Sequence, residues 1–168
     1  MASPRQIRPL TRDNLSELPM ACVMCTRWEL DAVHTARAQR DGTGAAAKAT
    51  WLSQTLLDWG SCGQLIYSDR EFAGYVTYAP PAYLPGLGAF PTAPVAVDAV
   101  ALATAYVRPE FRGRGYGRIL IQSAAADLAR RGVRALEAVA RENSTRENST
   151  RENSSAGGSA TGSVARCL

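Results

Sequence analysis

The sequence predicts a single α/β domain, and three stretches carry that prediction. A stripe of helical period runs over residues 45–60, a pair of strands over 63–80, and a strand, a glycine-rich turn and a helix over 97–131. A chain of 168 residues is long enough to bury one such core, and its apolar share of 46% is ordinary for a soluble globular protein. Nothing approaches the roughly 18 consecutive apolar residues of a membrane span. The opening MASPRQIRPLTRDN has no apolar core that would serve as a secretory signal, so a cytoplasmic location is expected.

The elements follow in order. RQIRPLT (5–11) reads as a short strand with Ile7 and Leu10 apolar. Residues 12–18 read as a turn or short helix, with Asp13 or Asn14 available as a cap. In AAAKATWLSQTLLDWG (45–60), Trp51, Leu52, Thr55, Leu56 and Trp59 recur at helical spacing and Gly60 supplies the stop; the two tryptophans are read as core. GQLIYSDREFAGYVTYAP (63–80) reads as two strands joined by a tight polar turn at Asp69-Arg70.

PPAYLPGLGAFPTAP (80–94) is too rich in proline and glycine for regular structure. It is either a substrate-side loop or a packed surface loop. VDAVALATAYV (97–107) is a strand apolar on both faces, hence mid-sheet, with Val100, Leu102 and Tyr106 on one side and Ala101, Ala103 and Ala105 on the other. From Gly115 to about Arg131 a helix carries Gly117, Leu120, Ile121, Ala124 and Leu128 as one stripe; Gly132 ends it, and VRALEAVA (133–140) reads as another strand.

The formal charge is +4, and Lys48 is the only lysine, so the other 18 of the 19 basic residues are arginine. That excess favours anionic ligands without naming one. The four cysteines, Cys22, Cys25, Cys62 and Cys167, include a C-x-x-C. A zinc site drawing on His34 lacks a second close pair of ligands, and LPMACVMCTRWELD offers no clear strand or helix for a redox motif. The thiols are therefore read as buried or incidental, with no metal expected.

The chemistry concentrates in VRPEFRGRGYGRIL (107–120), a strand-to-helix turn. The first turn of a helix has N–H groups without partners and roughly half a positive charge from its dipole, so it receives a phosphate. Gly113, Gly115 and Gly117 clear the approach, and Arg112 and Arg114 add charge-assisted bonds. The stretch is a candidate pyrophosphate cradle. It is not a P-loop, which needs a lysine, nor a G-x-G-x-x-G fingerprint, because Arg118 stands three after Gly115. What fits is R-x-x-G-x-G, as Arg112, Gly115 and Gly117.

At these residues the chain resembles the GNAT superfamily of acyl-CoA-dependent N-acyltransferases, and WELD, WGSCGQ and FPTAPVAVDAV are similar to one bacterial subgroup of them. The resemblance covers about residues 5–140. It implies a mixed, mostly antiparallel sheet flanked by helices, with acetyl-CoA as cosubstrate and an unknown primary amine as acceptor. Backbone near Tyr106 and Val107 would bond the pantetheine arm and the thioester carbonyl. Cofactor-binding residues would be Tyr106, Val107, Arg112, Gly113, Arg114, Gly115, Tyr116 and Gly117. No catalytic base is assigned; Glu29, Asp31, Asp98 and Glu137 are each read as a solvated or capping charge.

The expected domain ends at 140. Residues 141–168, RENSTRENSTRENSSAGGSATGSVARCL, are low-complexity sequence expected to be disordered. The family pattern calls for a further helix and two strands after 133–140, with a tyrosine acting as general acid, so a C-terminally incomplete fold is expected. The strand at 133–140 would then be an open edge inviting a homo-oligomer. Two other readings stand beside the acetyltransferase. One is a truncated, catalytically impaired CoA-binding protein; the other is an Arg/Gly-rich nucleic-acid-binding protein, disfavoured because RGRGYGR sits between an apolar strand and a periodic helix. Neither nucleic acid nor membrane is expected as a partner.

Overall fold

A computed structural model describes residues 4–90, 95–96 and 98–139 of the chain. The sheet has five strands in sequence order: β1 (Arg5–Pro9), β2 (Gly63–Ser68), β3 (Glu71–Ala79), β4 (Ala99–Val107) and β5 (Ala135–Ala138). The first four run antiparallel to their neighbours and β5 runs parallel to β4, so the sheet is mixed and mostly antiparallel, as expected. Helices α1 (Met20–Met24), α2 (Ala32–Arg40) and α3 (Gly44–Asp58) precede β2, and α4 (Tyr116–Arg130) joins β4 to β5. No helix among the described residues is long and apolar enough to cross a membrane.

Both faces of the sheet are covered. On one, Leu65, Tyr67 and Tyr75 pack with Trp28, Trp51 and Leu52 from the α1–α3 side. On the other, Ile66, Val76 and Tyr78 pack with Tyr116, Leu120, Ala124 and Leu128 of α4. This is why β2 and most of β3 are buried along their length. Each large side chain so buried contributes about 1.5–3 kcal/mol. Arg131 ties the layers together: it lies 3.8 Å over the Trp59 ring and donates to the carbonyls of Trp59 and Ser61, both at 2.8 Å.

Several expectations need correction. β1 is exposed throughout, including Ile7, because it is an edge strand; only Leu10, just beyond it, is buried. Asn14 caps nothing with its side chain; it accepts from the Thr11 N–H at 2.8 Å and donates to the Pro9 carbonyl at 2.9 Å. In α4 the buried stripe takes in Tyr116 and leaves Ile121 exposed. The segment around the C-x-x-C is helical at α1.

In β4 the register slips opposite Thr77/Tyr78, so Thr77 faces Thr104 while Tyr78 faces Leu102. The bulge skips Ala103 and reverses the alternation beyond it. Tyr106 therefore joins the α1–α3 core with Ala99, Ala101 and Ala103, while Ala105 joins the α4 side. The alanine face expected over 101–105 is split.

The connector at 80–90 is a packed loop of two short 3-10 turns, Pro81–Tyr83 and Pro85–Ala89; residues 91–94 lie outside the described residues. The expectations for 140–168, a domain boundary and a disordered repeat tail, also lie outside them.

The β2–β3 turn places two non-glycine residues in the left-handed region, Asp69 at φ 48° and Arg70 at φ 71°. Aspartate tolerates that conformation and arginine does so at a cost. Arg70→Gly is accordingly expected to stabilise the fold by about 0.5–1 kcal/mol, the relieved strain less the added chain entropy. Thermal unfolding of the two chains measures it; no gain would mean the turn is unstrained.

Candidate functional site

The turn between β4 and α4 is built from both ends. Pro109–Phe111 forms a 3-10 turn, closed by Phe111 N–H to the Arg108 carbonyl at 2.9 Å. Arg108 is fixed by Glu71 at 2.7 Å and Glu110 at 3.0 Å. Tyr116, the first residue of α4, is buried, with its ring edge-on to Phe111 and its hydroxyl donating to Ser68 Oγ at 2.9 Å. Its side chain is thus an anchor from helix to sheet, and only its backbone faces the turn.

Between these anchors the chain is open. Arg112, Gly113, Arg114 and Gly115 are exposed and Gly117 is half-buried. Gly113 has φ 73° and Gly115 φ 83°, and a Cβ at either would meet nothing within 4 Å. Both glycines are in the left-handed region, which favours glycine, and no protein group crowds either position. At Gly117 a Cβ would stand 3.8 Å from Val107 Cγ2, an ordinary contact where helix meets strand.

The N–H groups of Gly113 to Arg118 make no hydrogen bond among the described residues; the first bonded one in α4 is Ile119, to the Gly115 carbonyl at 3.1 Å. Arg112 folds back to donate from Nε to the Val107 carbonyl at 3.0 Å. Sequence reasoning missed Arg5, which reaches from β1 to lie 4.9 Å over the Tyr116 ring and donates to the Arg114 carbonyl at 3.4 Å. None of Arg5, Arg112, Arg114 and Arg118 is in an ion pair among the described residues. Unbonded N–H groups, a helix start and unpaired guanidinium groups together make the turn receptive to an anion.

Among the described residues the adjoining edge of β4 is open as well. β5 pairs with Ala99 to Leu102 and no further. Arg108 N–H bonds the Ala73 carbonyl at 2.9 Å on the β3 side, and alternation from there turns the backbone of Tyr106 toward β3. Ala105 and Val107 are left facing the open edge. Of the two positions expected to bond the pantetheine arm, Val107 turns its backbone to this edge and Tyr106 turns its backbone to β3; Ala105 also faces the edge.

The four carboxylates separate. Glu29 is not solvated but buried, its Oε1 2.6 Å from Lys48 Nζ and its Oε2 without a partner. Asp31 caps α2, accepting from His34 N–H at 2.9 Å. That bond, and His34 beside it, hold its carboxyl below the usual range. Asp98 is exposed. Glu137, half-buried on β5 opposite Ala101, accepts from Ala96 N–H at 3.5 Å. Burial pushes the Cys62 thiol up to about 12, so it stays protonated at neutral pH and is no nucleophile.

A cavity of about 280 Å³ is walled by Thr35, Ala36 and Gln39 of α2 and by Gly86 and Phe90, with Arg27 beside them. Gly86 holds this wall: its N–H bonds the Trp28 carbonyl at 3.1 Å, and a Cβ there would collide with the Arg27 carbonyl oxygen. Gly86→Ala should therefore cost about 1–3 kcal/mol by overpacking against backbone that cannot yield locally. Denaturant unfolding checks it, and an unchanged midpoint would contradict the packing.

A model of the acetyltransferase (GNAT) family matches residues 26–149. No curated protein matches the chain. Among solved structures, a PaiA N-acetyltransferase from Thermoplasma acidophilum in complex with coenzyme A is 13% identical with TM-score 0.52, over 84% of this chain and 82% of that one. An aminoglycoside N-acetyltransferase, AAC(6')-Iy, in complex with CoA is 15% identical with TM-score 0.52, over 84% and 80%. An N-acetyltransferase from Staphylococcus aureus Mu50 is 18% identical with TM-score 0.53, over 81% and 73%. At these identities the likeness is one of fold.

Proposed function

The chain belongs to the acetyltransferase (GNAT) family, and from that premise we propose that it transfers the acetyl group of acetyl-CoA to a primary amine. The observation that carries this reading is the run of N–H groups from Gly113 to Arg118, unbonded among the described residues, at the end of a strand whose outer edge is unpaired among them. The cosubstrate supplies the thioester. Its pyrophosphate fits the backbone of Arg112, Gly113, Arg114, Gly115, Tyr116 and Gly117, with Arg114 and Arg5 as cations; the open cradle at two left-handed glycines is what such a group requires.

The backbone of Ala105 and Val107 serves the pantetheine arm, and the N–H at the bulge offers a preorganised donor for the oxyanion. In the reaction the amine nitrogen bonds the acetyl carbon as the carbon–sulfur bond breaks. Coenzyme A leaves as the thiolate and takes a proton from water to become the thiol, while the amine nitrogen gives up one proton. Glu137 stands on β5 opposite Ala101, one pair before the strands part, and is half-buried, so we assign it the proton, received through water. We read residues 1–140 as the catalytic unit, 141–168 as a separate low-complexity tail, and the setting as cytoplasmic.

Release of free thiol from acetyl-CoA, followed against a panel of primary amines, tests the reading. The wild-type chain is expected to turn over, and Arg112→Ala with Gly115→Asp is expected to be silent. Glu137→Gln should lower kcat at least roughly tenfold while leaving acetyl-CoA affinity unchanged. A folded chain that releases no thiol with any amine would refute the proposal.

A further inference from the structure

The cavity beside α2 carries an inference about the acceptor, and it rests on the acyl-transfer reading above. One charged side chain lines it, the guanidinium of Arg27. That group lies 5.5 Å from the Trp28 ring and 5.0 Å from the Phe90 ring, and the two rings are stacked at 5.0 Å. Arg27 is exposed and forms no ion pair among the described residues, so its guanidinium lies against two aromatic faces and is open to an incoming anion. The rest of the lining is neutral. Thr35 spends its hydroxyl hydrogen on the Thr26 carbonyl at 3.1 Å, which leaves its oxygen to accept.

These features discriminate among amines. A polycation entering the cavity would meet a fixed positive charge and no carboxylate among the lining residues. An amine that also carries a carboxylate would find a planar, oriented guanidinium with no competing partner to displace. The volume of about 280 Å³ suits one amino-acid-sized molecule, below the range of roughly 300–1,000 Å³ usual for larger ligands. The wall at Gly86–Phe90 is continuous with Leu84 and Leu87, which pack into the same core as Ala99, Ala101 and Ala103 of β4. The wall of the cavity therefore packs on the same core as the strand whose open edge would carry the thioester.

We propose that this cavity is the acceptor pocket and that it takes a small amino carboxylate, with Arg27 pairing the carboxylate and Thr35 accepting from the amine. The test is calorimetric titration of the full chain, saturated with coenzyme A, using phenylalanine against 2-phenylethylamine, then spermidine and kanamycin. The amino acid is expected to bind at least roughly tenfold tighter than its decarboxylated partner, and tighter than either polycation. Arg27→Ala should bring the ratio close to one and Arg27→Lys should keep part of it, with coenzyme A affinity unchanged in both.

Tighter binding of spermidine or kanamycin, a ratio untouched by Arg27→Ala, or no uptake of the amino acid by a chain that still binds coenzyme A would overturn this inference alone. A folded chain that takes up no coenzyme A would overturn the acyl-transfer reading and this inference with it.

Discussion

Gly115→Asp is expected to weaken acetyl-CoA binding by at least roughly a hundredfold while leaving the chain folded. Gly115 is the residue before the fifteen-residue α4 and has φ 83° with open space around its missing Cβ. Aspartate is among the side chains that tolerate the left-handed region, so the strain is limited to about 1 kcal/mol. Its carboxylate would sit where an anion is to be received, accept from the free N–H groups itself, and repel the diphosphate. Loss of charge-assisted bonds worth about 1.5–3 kcal/mol each, with repulsion added, accounts for the factor. Calorimetry of the two chains gives the ratio, and thermal unfolding shows that the fold survives. An affinity within threefold of wild type would place the anion elsewhere.

The second large effect is on stability. Lys48→Met should destabilise the chain by about 3–5 kcal/mol, because it leaves the Glu29 carboxylate buried and unpaired. The side chains are 7% and 1% exposed, and Glu29 Oε2 has no partner among the described residues, so none of these takes over. The double replacement Glu29→Leu with Lys48→Met removes both charges and should recover most of the loss. Urea unfolding of the single and double variants decides it. If the single variant is as stable as wild type, or the double one as weak as the single, the pair does not hold the α1–α3 layer as described.

Much of the framework could be read from sequence because local signals agreed with burial. The α3 stripe of Trp51, Leu52 and Thr55, the polar turn at Asp69-Arg70, and the strand–turn–helix from Ala99 to Arg130 all lie where periodicity and turn chemistry put them. The position of the R-x-x-G-x-G turn was legible for the same reason: it joins a charge-poor strand to an amphipathic helix, as β4 and α4 do in the fold. α2 was not legible, since in AVHTARAQR only Ala38 is buried and the helix is held by its Asp31 cap and by its neighbours.

Non-local features escaped as well. A bulge leaves no mark on alternation when both faces of the strand are apolar, so Tyr106 was set on the wrong side of β4 and Ala105 was overlooked. The Glu29–Lys48 pair spans nineteen positions, and nothing in either residue's surroundings announces it. Arg5 reaches the Arg114 carbonyl only because β2 carries β1 to the same end of the sheet, a contact 109 positions apart in sequence.

The central claim is that acetyl-CoA lies on the turn after β4 and along that strand's open edge. An amide-resolved magnetic resonance titration of the chain with acetyl-CoA tests it most directly. The account predicts saturable shifts concentrated at Gly113 to Arg118, with Ala105 and Val107 moving in step. Shifts centred on other elements, or none in a folded chain, would contradict it.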